Sequence, residues 1–330
     1  MKKDAMIVLV TGSSGFIGRW VCDTLNNNGI KPVGVDLREK PLDQEWLEFH
    51  QCDILDKAQL KRVIQMVCPQ RVIHLAARTD LDKEVNLAGY AANIDGVKNV
   101  LECTRELKSV DRIIVTSSQL VCEVGYVPKS DTDYCPNTLY GESKVLTEKI
   151  TRDTDGGGKE WCIVRPTTVW GPYMSDHYCR MLRLIHKGRY FHCGQAMLFK
   201  SYSYAGNIAH QYWKVLVAPP NEMHQRTFYF ADYLPLSLRE YTNGLSKEIN
   251  APRIPTLPLV CAKPLAVLGD ILNRMGWKSF PFNSFRLRNI LTEYQFNLSA
   301  TKRVCGDLPY CFEDGVKATA NWFIKERYFQ

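Results

Sequence analysis

Apolar residues run unbroken over 6–10 (MIVLV) and stop at Thr11-Gly12. Over 16–28 the period changes. Phe16, Ile17, Trp20, Val21 and Leu25 recur at three- and four-residue spacing, and Gly29 follows. That sequence predicts a strand, a tight turn and a helix. The alternation continues down the first half. Strands are predicted at 32–36 (PVGVD), weakly at 49–52, at 71–77 (RVIHLAA), at 112–116 (RIIVT) and at 161–165. Helices are predicted at 57–68, capped by Asp56, and at 93–107 and 139–152, with a glycine turn at 155–158. The strands are continuous apolar runs, so both of their faces are expected to be buried. Such strands alternating with helices predict an α/β fold with a parallel sheet covered on both sides.

After Gly171-Pro172 the pattern loosens into shorter apolar pieces with more Pro and Tyr, which predicts a smaller lobe. The most apolar piece there, 257–272, is interrupted by Lys263, Asp270 and two prolines and is too short to span a bilayer. It predicts a packed helix, with contact to a membrane surface as the alternative. At the N-terminus, Asp4 interrupts a short run that would otherwise look like a leader, so 6–10 is expected to be the first strand.

Composition narrows the classes. The 330 residues are 45% apolar and 23% charged, which is ordinary for a globular chain. The formal charge of +7 suits anionic ligands such as phosphates, but no dense Lys/Arg stripe is present, so no nucleic-acid partner is expected. The twelve cysteines form no C-x-x-C and no finger spacing with His, which predicts no metal site. Free thiols fit a reducing, cytoplasmic setting.

The chemistry starts at Gly12-Ser13-Ser14-Gly15-Phe16-Ile17-Gly18, between the first strand and first helix. Backbone N–H groups at a helix start can hold a diphosphate, and glycines allow the close approach. The spacing is G-x-x-G-x-x-G rather than G-x-G-x-x-G. Asp36 ends the second strand, where a carboxylate accepts from both ribose hydroxyls and repels a 2′-phosphate. NAD is therefore expected over NADP, although Arg38 stands two residues on. Asp53, after the third strand, is positioned for an adenine amino group or for an Asx-turn.

Tyr140 and Lys144 lie four apart on a predicted helix and share a face. An ammonium beside a phenol is expected to lower the phenol's pKa, so that it exchanges a proton with a substrate hydroxyl. Thr116-Ser117-Ser118 ends a predicted strand, where a hydroxyl can hydrogen-bond the reacting oxygen.

With these landmarks in order, the sequence resembles the extended short-chain dehydrogenase/reductase family, the group of NAD-dependent sugar-nucleotide epimerases and dehydratases. The resemblance rests on TGSSGFIG (11–18), Asp36, CDI (52–54), HLAA (74–77), Asn93 with Gly96, VTSS (115–118), YGESK (140–144) and VRPTTVWGP (164–172). It implies a Rossmann-type doubly wound parallel sheet with a smaller C-terminal substrate lobe. The Rossmann domain would be 1–171, with a return at about 201–234. The lobe would be 172–200 and 235–330. By position, Ser118, Tyr140 and Lys144 match the catalytic set. Gly12, Gly15, Phe16, Ile17 and Gly18 match the diphosphate loop, Asp36 the ribose ligand, and Asp53 and Ile54 the adenine contacts. Leu75, Ala76, Asn93 and Pro166 match positions that line the cofactor, and the family is often dimeric, which implies a homodimer here.

The departures are informative. Gln119-Leu120 stands where the family's 4,6-dehydratases carry Asp-Glu, which disfavours dehydration. Thr168 replaces a substrate-contacting Asn, and Lys200 opens a segment that usually begins with Arg. The expected substrate is a nucleotide-linked sugar, held by Arg78, Thr79, Ser118 and Thr168 with cations among Arg180, Arg183, Lys187, Arg189 and Lys200. The alternative is a ketoreductase or alcohol dehydrogenase acting on a keto-sugar or a sterol-like alcohol.

Overall fold

The computed structural model describes residues 5–80, 86–277 and 282–326. The chain folds as two compact units. The first contains β1 (Ile7–Thr11), α1 (Phe16–Asn27), β2 (Lys31–Asp36), β3 (Glu48–Gln51), α2 (Lys57–Val67), β4 (Arg71–His74), α3 (Ala91–Arg105), β5 (Arg112–Thr116), α4 (Leu139–Asp153) and β6 (Glu160–Pro166). It also takes in helix Ala205–Val217 and strand Arg226–Phe230. Seven strands pair in the order β3-β2-β1-β4-β5-β6-(Arg226–Phe230), every pair parallel. The strand order reverses between β1 and β4, which opens a crevice at their carboxyl ends, where ligands of doubly wound sheets bind.

The two faces follow from side-chain alternation along each strand. Val8 and Val10 point to one side, with Ile114, Val164 and Phe228, under α1 and helix Ala205–Val217. Leu9, Val33, Val35, Val72 and Ile113 point to the other, under α2 and α3. The predicted helices fall within two residues of the observed ones, and Asp56 caps α2 by accepting from Gln59 N at 2.9 Å. The fourth strand is shorter than its apolar run: it ends at His74, and 75–77 leave the sheet to lie against the glycine turn.

The second unit comprises 170–202, 234–296 and the chain from Cys311 onward. Its helices include Asp176–His186, Leu238–Glu248, Leu259–Arg274, Ser284–Leu291 and Phe312–Lys325. The stretch 297–310 belongs to the first unit, not to the lobe to which the pattern assigned it. Thr301 Oγ1 donates to Tyr229 O (2.8 Å), Tyr310 N donates to Asn207 Oδ1 (3.1 Å), and the buried Cys305 packs beneath helix Ala205–Val217. Among the described residues, no helix is long and apolar enough to cross a membrane, and no His/Cys/Asp/Glu cluster could hold a metal.

Candidate active site

The passage from β1 to α1 is shaped by contacts of backbone on backbone. Gly12 has φ +76°, and its N–H donates to Val35 O at 2.7 Å. A Cβ on Gly12 would stand 2.6 Å from Ala76 N and 2.9 Å from the Leu75 carbonyl carbon. One on Gly18 would come within 2.1 Å of Gly12 O. No side chain fits at either position. Gly15 is the N-cap of α1 and supplies no side-chain cap, and the first turn holds no acidic residue. Its N–H groups and the positive helix end therefore suit an anionic oxygen. Phe16 and Ile17 pack on the core beneath α1 and bring backbone rather than side chain to the turn.

Asp36, nearly buried at the end of β2, accepts from Ser14 N (3.0 Å) and Arg38 N (2.9 Å). It thereby ties the glycine turn to β2. The Arg38 guanidinium reaches it at only 3.3 and 3.4 Å and is 64% exposed, so a pair of hydroxyls can replace those contacts. Asp53 Oδ1 accepts from Leu55 N (2.9 Å) in an Asx-turn. Ile54 packs on Gly96, where a Cβ would meet Ile54 Cδ1 at 2.5 Å. The donor set at the turn and Asp36 fit a dinucleotide.

Ser118, Tyr140 and Lys144 come together beyond the carboxyl end of β5, and all three are buried. Thr138 fixes the start of α4 by accepting from Gly141 N at 3.0 Å. Ser118 begins a single 3-10 turn, its Oγ accepts from Leu120 N (3.1 Å), and it stands near enough to the Tyr140 phenol to favour the ionised form. Lys144 Nζ donates to Thr116 O at 2.9 Å. Burial pushes the Lys144 ammonium down to about 8, against the pull of Glu148 one turn on. Tyr140 departs from the expectation of a lowered pKa. Burial pushes it up to about 12, Ser118 opposes the rise, and Tyr90, with its ring 6.2 Å away, adds to it. With Lys144 directed at a carbonyl, the ligand-free phenol stays protonated. His74 is neutral as well, pushed down to about 3 by burial and then by Lys144, and its Nδ1 lies 2.8 Å from Thr11 Oγ1.

Asn93 is a clamp. It accepts from Arg78 N (2.8 Å) and donates to Arg78 O (3.0 Å) and Ser143 Oγ (2.8 Å), fastening the loop after β4 to α4. Arg78 braces the same loop, donating to Asp80 (2.9 and 3.0 Å) and to Gly89 O (3.0 Å). Thr79 beside it is exposed. Pro166 is buried at the end of β6, and Thr168 Oγ1 accepts from Gln119 Nε2 at 3.4 Å.

The remaining candidate cations lie in the second unit. Arg180 is half-buried in helix Asp176–His186, and Lys187 and Arg189 are exposed just after it. Arg183 pairs with Asp176 at 2.7 Å. Lys200 is buried, donates to Asn289 O, sits 5.4 Å from the Tyr294 ring centroid, and is pushed down to about 8 by burial.

Sequence reasoning missed the support behind Ser118, Tyr140 and Lys144. Glu148, one turn beyond Lys144, accepts from Ser117 Oγ (2.6 Å), Arg165 Nε and Nη2 (2.8 Å each) and Tyr134 OH (3.0 Å). Arg165 also donates to Tyr229 OH (2.9 Å) and to Asp131 O (2.5 Å). The available signal was an arginine inside the apolar run of β6 and a glutamate on the same helical face as Tyr140 and Lys144.

The profile of the "NAD dependent epimerase/dehydratase family" matches residues 8–229. N-acetyl-alpha-D-glucosaminyl-diphospho-ditrans,octacis-undecaprenol 4-epimerase of Escherichia coli O157:H7 is 26% identical over 96% of this chain and 94% of its own length. Short-chain dehydrogenase/reductase family 42E member 1 of Homo sapiens is 24% identical over 96% of this chain and 86% of its own. Among solved structures, UDP-glucose 4-epimerase of Thermotoga maritima with UDP-glucose superposes with a TM-score of 0.73 at 21% identity. That match covers 98% of this chain and 100% of the other, and it shows a shared fold.

Proposed function

We propose that this chain, which belongs to the NAD dependent epimerase/dehydratase family, epimerises a nucleotide-linked sugar at a carbinol carbon. The observation that carries the reading is the buried convergence of Ser118, Tyr140 and Lys144 beside a glycine turn whose helix end is open to an anion. NAD supplies, when bound, the acceptor and donor of the hydride. The chain's own residues handle the proton. Tyr140 exchanges it with the carbinol oxygen, and Ser118 hydrogen-bonds that oxygen and favours the phenolate. Lys144, held on Thr116 O, supplies the nearby positive charge. Gly12, Gly15, Phe16, Ile17 and Gly18 present backbone to the diphosphate of NAD, and Asp36 accepts from its ribose. Asn93, Asp53 and Arg78 shape the surrounding loops; their side-chain bonds within the protein favour positioning over direct contact.

A second reading keeps the chemistry and changes the carrier. The E. coli relative, aligned over 94% of its length, is named for a sugar diphosphate on a polyprenol rather than on a nucleoside. Free thiols at all twelve cysteines support a reducing cytoplasm, and the family resemblance supports a homodimer.

The test is incubation with a panel of UDP-, GDP-, CDP- and dTDP-sugars, with and without added NAD, and NMR of the products. Inversion at one carbon without net consumption of NAD is expected. Turnover confined to a free alcohol, with stoichiometric use of cofactor, would replace the epimerase by a dehydrogenase.

A further inference from the structure

Helix Leu259–Arg274 buries one side and leaves an apolar surface on the other. The buried side is made of small residues, Ala262, Ala266 and Gly269, which let the helix lie close against Phe282 and Leu287. The opposite side carries Val260 (78% exposed), Val267 (53%), Leu268 (48%) and Ile271 (48%), with Met275 (78%) just past the last turn. At 100° per residue these positions and the exposed Pro264 fall within an arc of about 100°. Lys263 and Arg274, both exposed, border that arc on the same side. Asp270, next to that border, is half-buried and accepts from Ser284 N at 3.3 Å. Exposed Trp277 follows the helix.

We propose that this face docks on an anionic membrane surface. The helix lies in the plane of the interface, with its apolar arc at the acyl boundary and Lys263 and Arg274 at the lipid phosphates. Three observations select this occupant. The apolar arc is broad and continuous and is not offset by polar residues, as an ordinary solvated helix face would be. Its border is cationic and the chain carries a net charge of +7, which complements anionic headgroups. An antiparallel second copy of the same face would bring Lys263 of one chain beside Arg274 of the other, an opposition of like charges. The helix is not long and apolar enough to cross a bilayer, so it lies on the surface. The inference goes beyond the proposed reaction and is read without any substrate, so its failure and that of the sugar assay are separate results.

The test is co-sedimentation of the full chain with vesicles of phosphatidylcholine alone or mixed with phosphatidylglycerol. Binding to the mixed vesicles is expected, and it should weaken as salt is raised. Val267→Glu with Ile271→Glu should reduce it at least about tenfold by placing two charges in the apolar boundary. Lys263→Glu with Arg274→Glu should remove the preference for anionic lipid, at about fivefold or more per basic residue lost. All four side chains are exposed, so melting temperature and NADH binding should stay at wild-type values and report an intact fold. Absence of binding to both vesicles, or equal binding by the Val267→Glu/Ile271→Glu protein, overturns the proposal. A wild-type dimer that this variant dissociates, without any vesicle affinity, assigns the face to a second copy instead.

Discussion

Replacing Glu148 with Gln exchanges one oxygen for an NH2 and removes one charge from a place water does not reach. Glu148 and Arg165 are both 0% exposed and meet at 2.8 Å through two guanidinium nitrogens. In Glu148→Gln the guanidinium stays buried with no counter-charge, and an amide NH2 takes the place of an oxygen that now accepts. Breaking a buried pair from one side costs about 3–5 kcal/mol. For a chain of this size that corresponds to a fall in Tm of about 4–7 °C. Urea unfolding followed by circular dichroism reads it as a lower midpoint at an unchanged slope. Glu148→Gln combined with Arg165→Met removes the stranded charge and should recover part of the loss. A second readout is functional. Glu148 is the charge that holds Lys144 up against desolvation, so its loss should move the Lys144 titration below about 8. The alkaline limb of turnover should shift in the same direction. A single variant within about 1 kcal/mol of wild type, or a double variant no more stable than the single, would refute the reasoning.

The other expectations concern the site and its frame. Tyr140→Phe should keep NADH binding, followed by fluorescence quenching, and lose at least about a hundredfold in turnover. NADH should bind more tightly than NADPH, and Asp36→Ala should narrow the gap, because it removes the repelling carboxylate and frees Arg38 for a 2′-phosphate; equal affinities in the wild type would contradict this. Gly12→Ala combines φ +76° with a Cβ 2.6 Å from Ala76 N, so NAD affinity measured by calorimetry should fall more than tenfold. Asp232 accepts from Tyr204 N and Asn207 Nδ2 at 2.9 and 2.8 Å, and burial pushes it up to about 6. The folded chain then keeps a proton that the unfolded chain releases near pH 4. Its contribution is greatest below pH 4, declines by up to about 3 kcal/mol as pH rises to about 6, and is flat above. Urea titrations across that window should show the decline in wild type relative to Asp232→Asn.

What could be read from the sequence was local. Five unbroken apolar residues ending in Thr11-Gly12, then helical spacing to Gly29, specify strand, turn and helix without reference to the rest of the chain. Asp36, Ser118, Tyr140 and Lys144 were legible because each sits at a fixed offset from such an element. What failed depended on partners distant in sequence. Glu148 and Arg165 are an ordinary glutamate and arginine until β6 is laid beside α4. Lys144 next to Tyr140 suggested a lowered phenol pKa, but its ammonium is taken by Thr116 O and burial dominates. Lys200 counted as an available cation, whereas its ammonium is already committed to Asn289 O. The stretch 297–310 looked like more of the loose second half, and only its bonds to Tyr229 and Asn207 place it with the sheet.

The interleaving of the two units along the chain governs the order of synthesis and the prospects for exchange. Most of the sheet is translated before the first segment of the second unit, but that unit then waits for two more. Phe199 pairs with Ser237, His192 with Thr256, and helix Phe312–Lys325, translated after both segments, rests on helix Leu238–Glu248. A ribosome therefore exposes a nearly complete sheet while segments 170–202 and 234–296 still lack their closing helix. Such non-local closure is slow and exposed to misassembly. The second unit is accordingly not a cassette. Grafting a relative's version onto this sheet requires three simultaneous transplants: moving 170–202 or 234–296 alone leaves half-paired strands, and moving the third segment alone sets helix Leu238–Glu248 against a foreign partner.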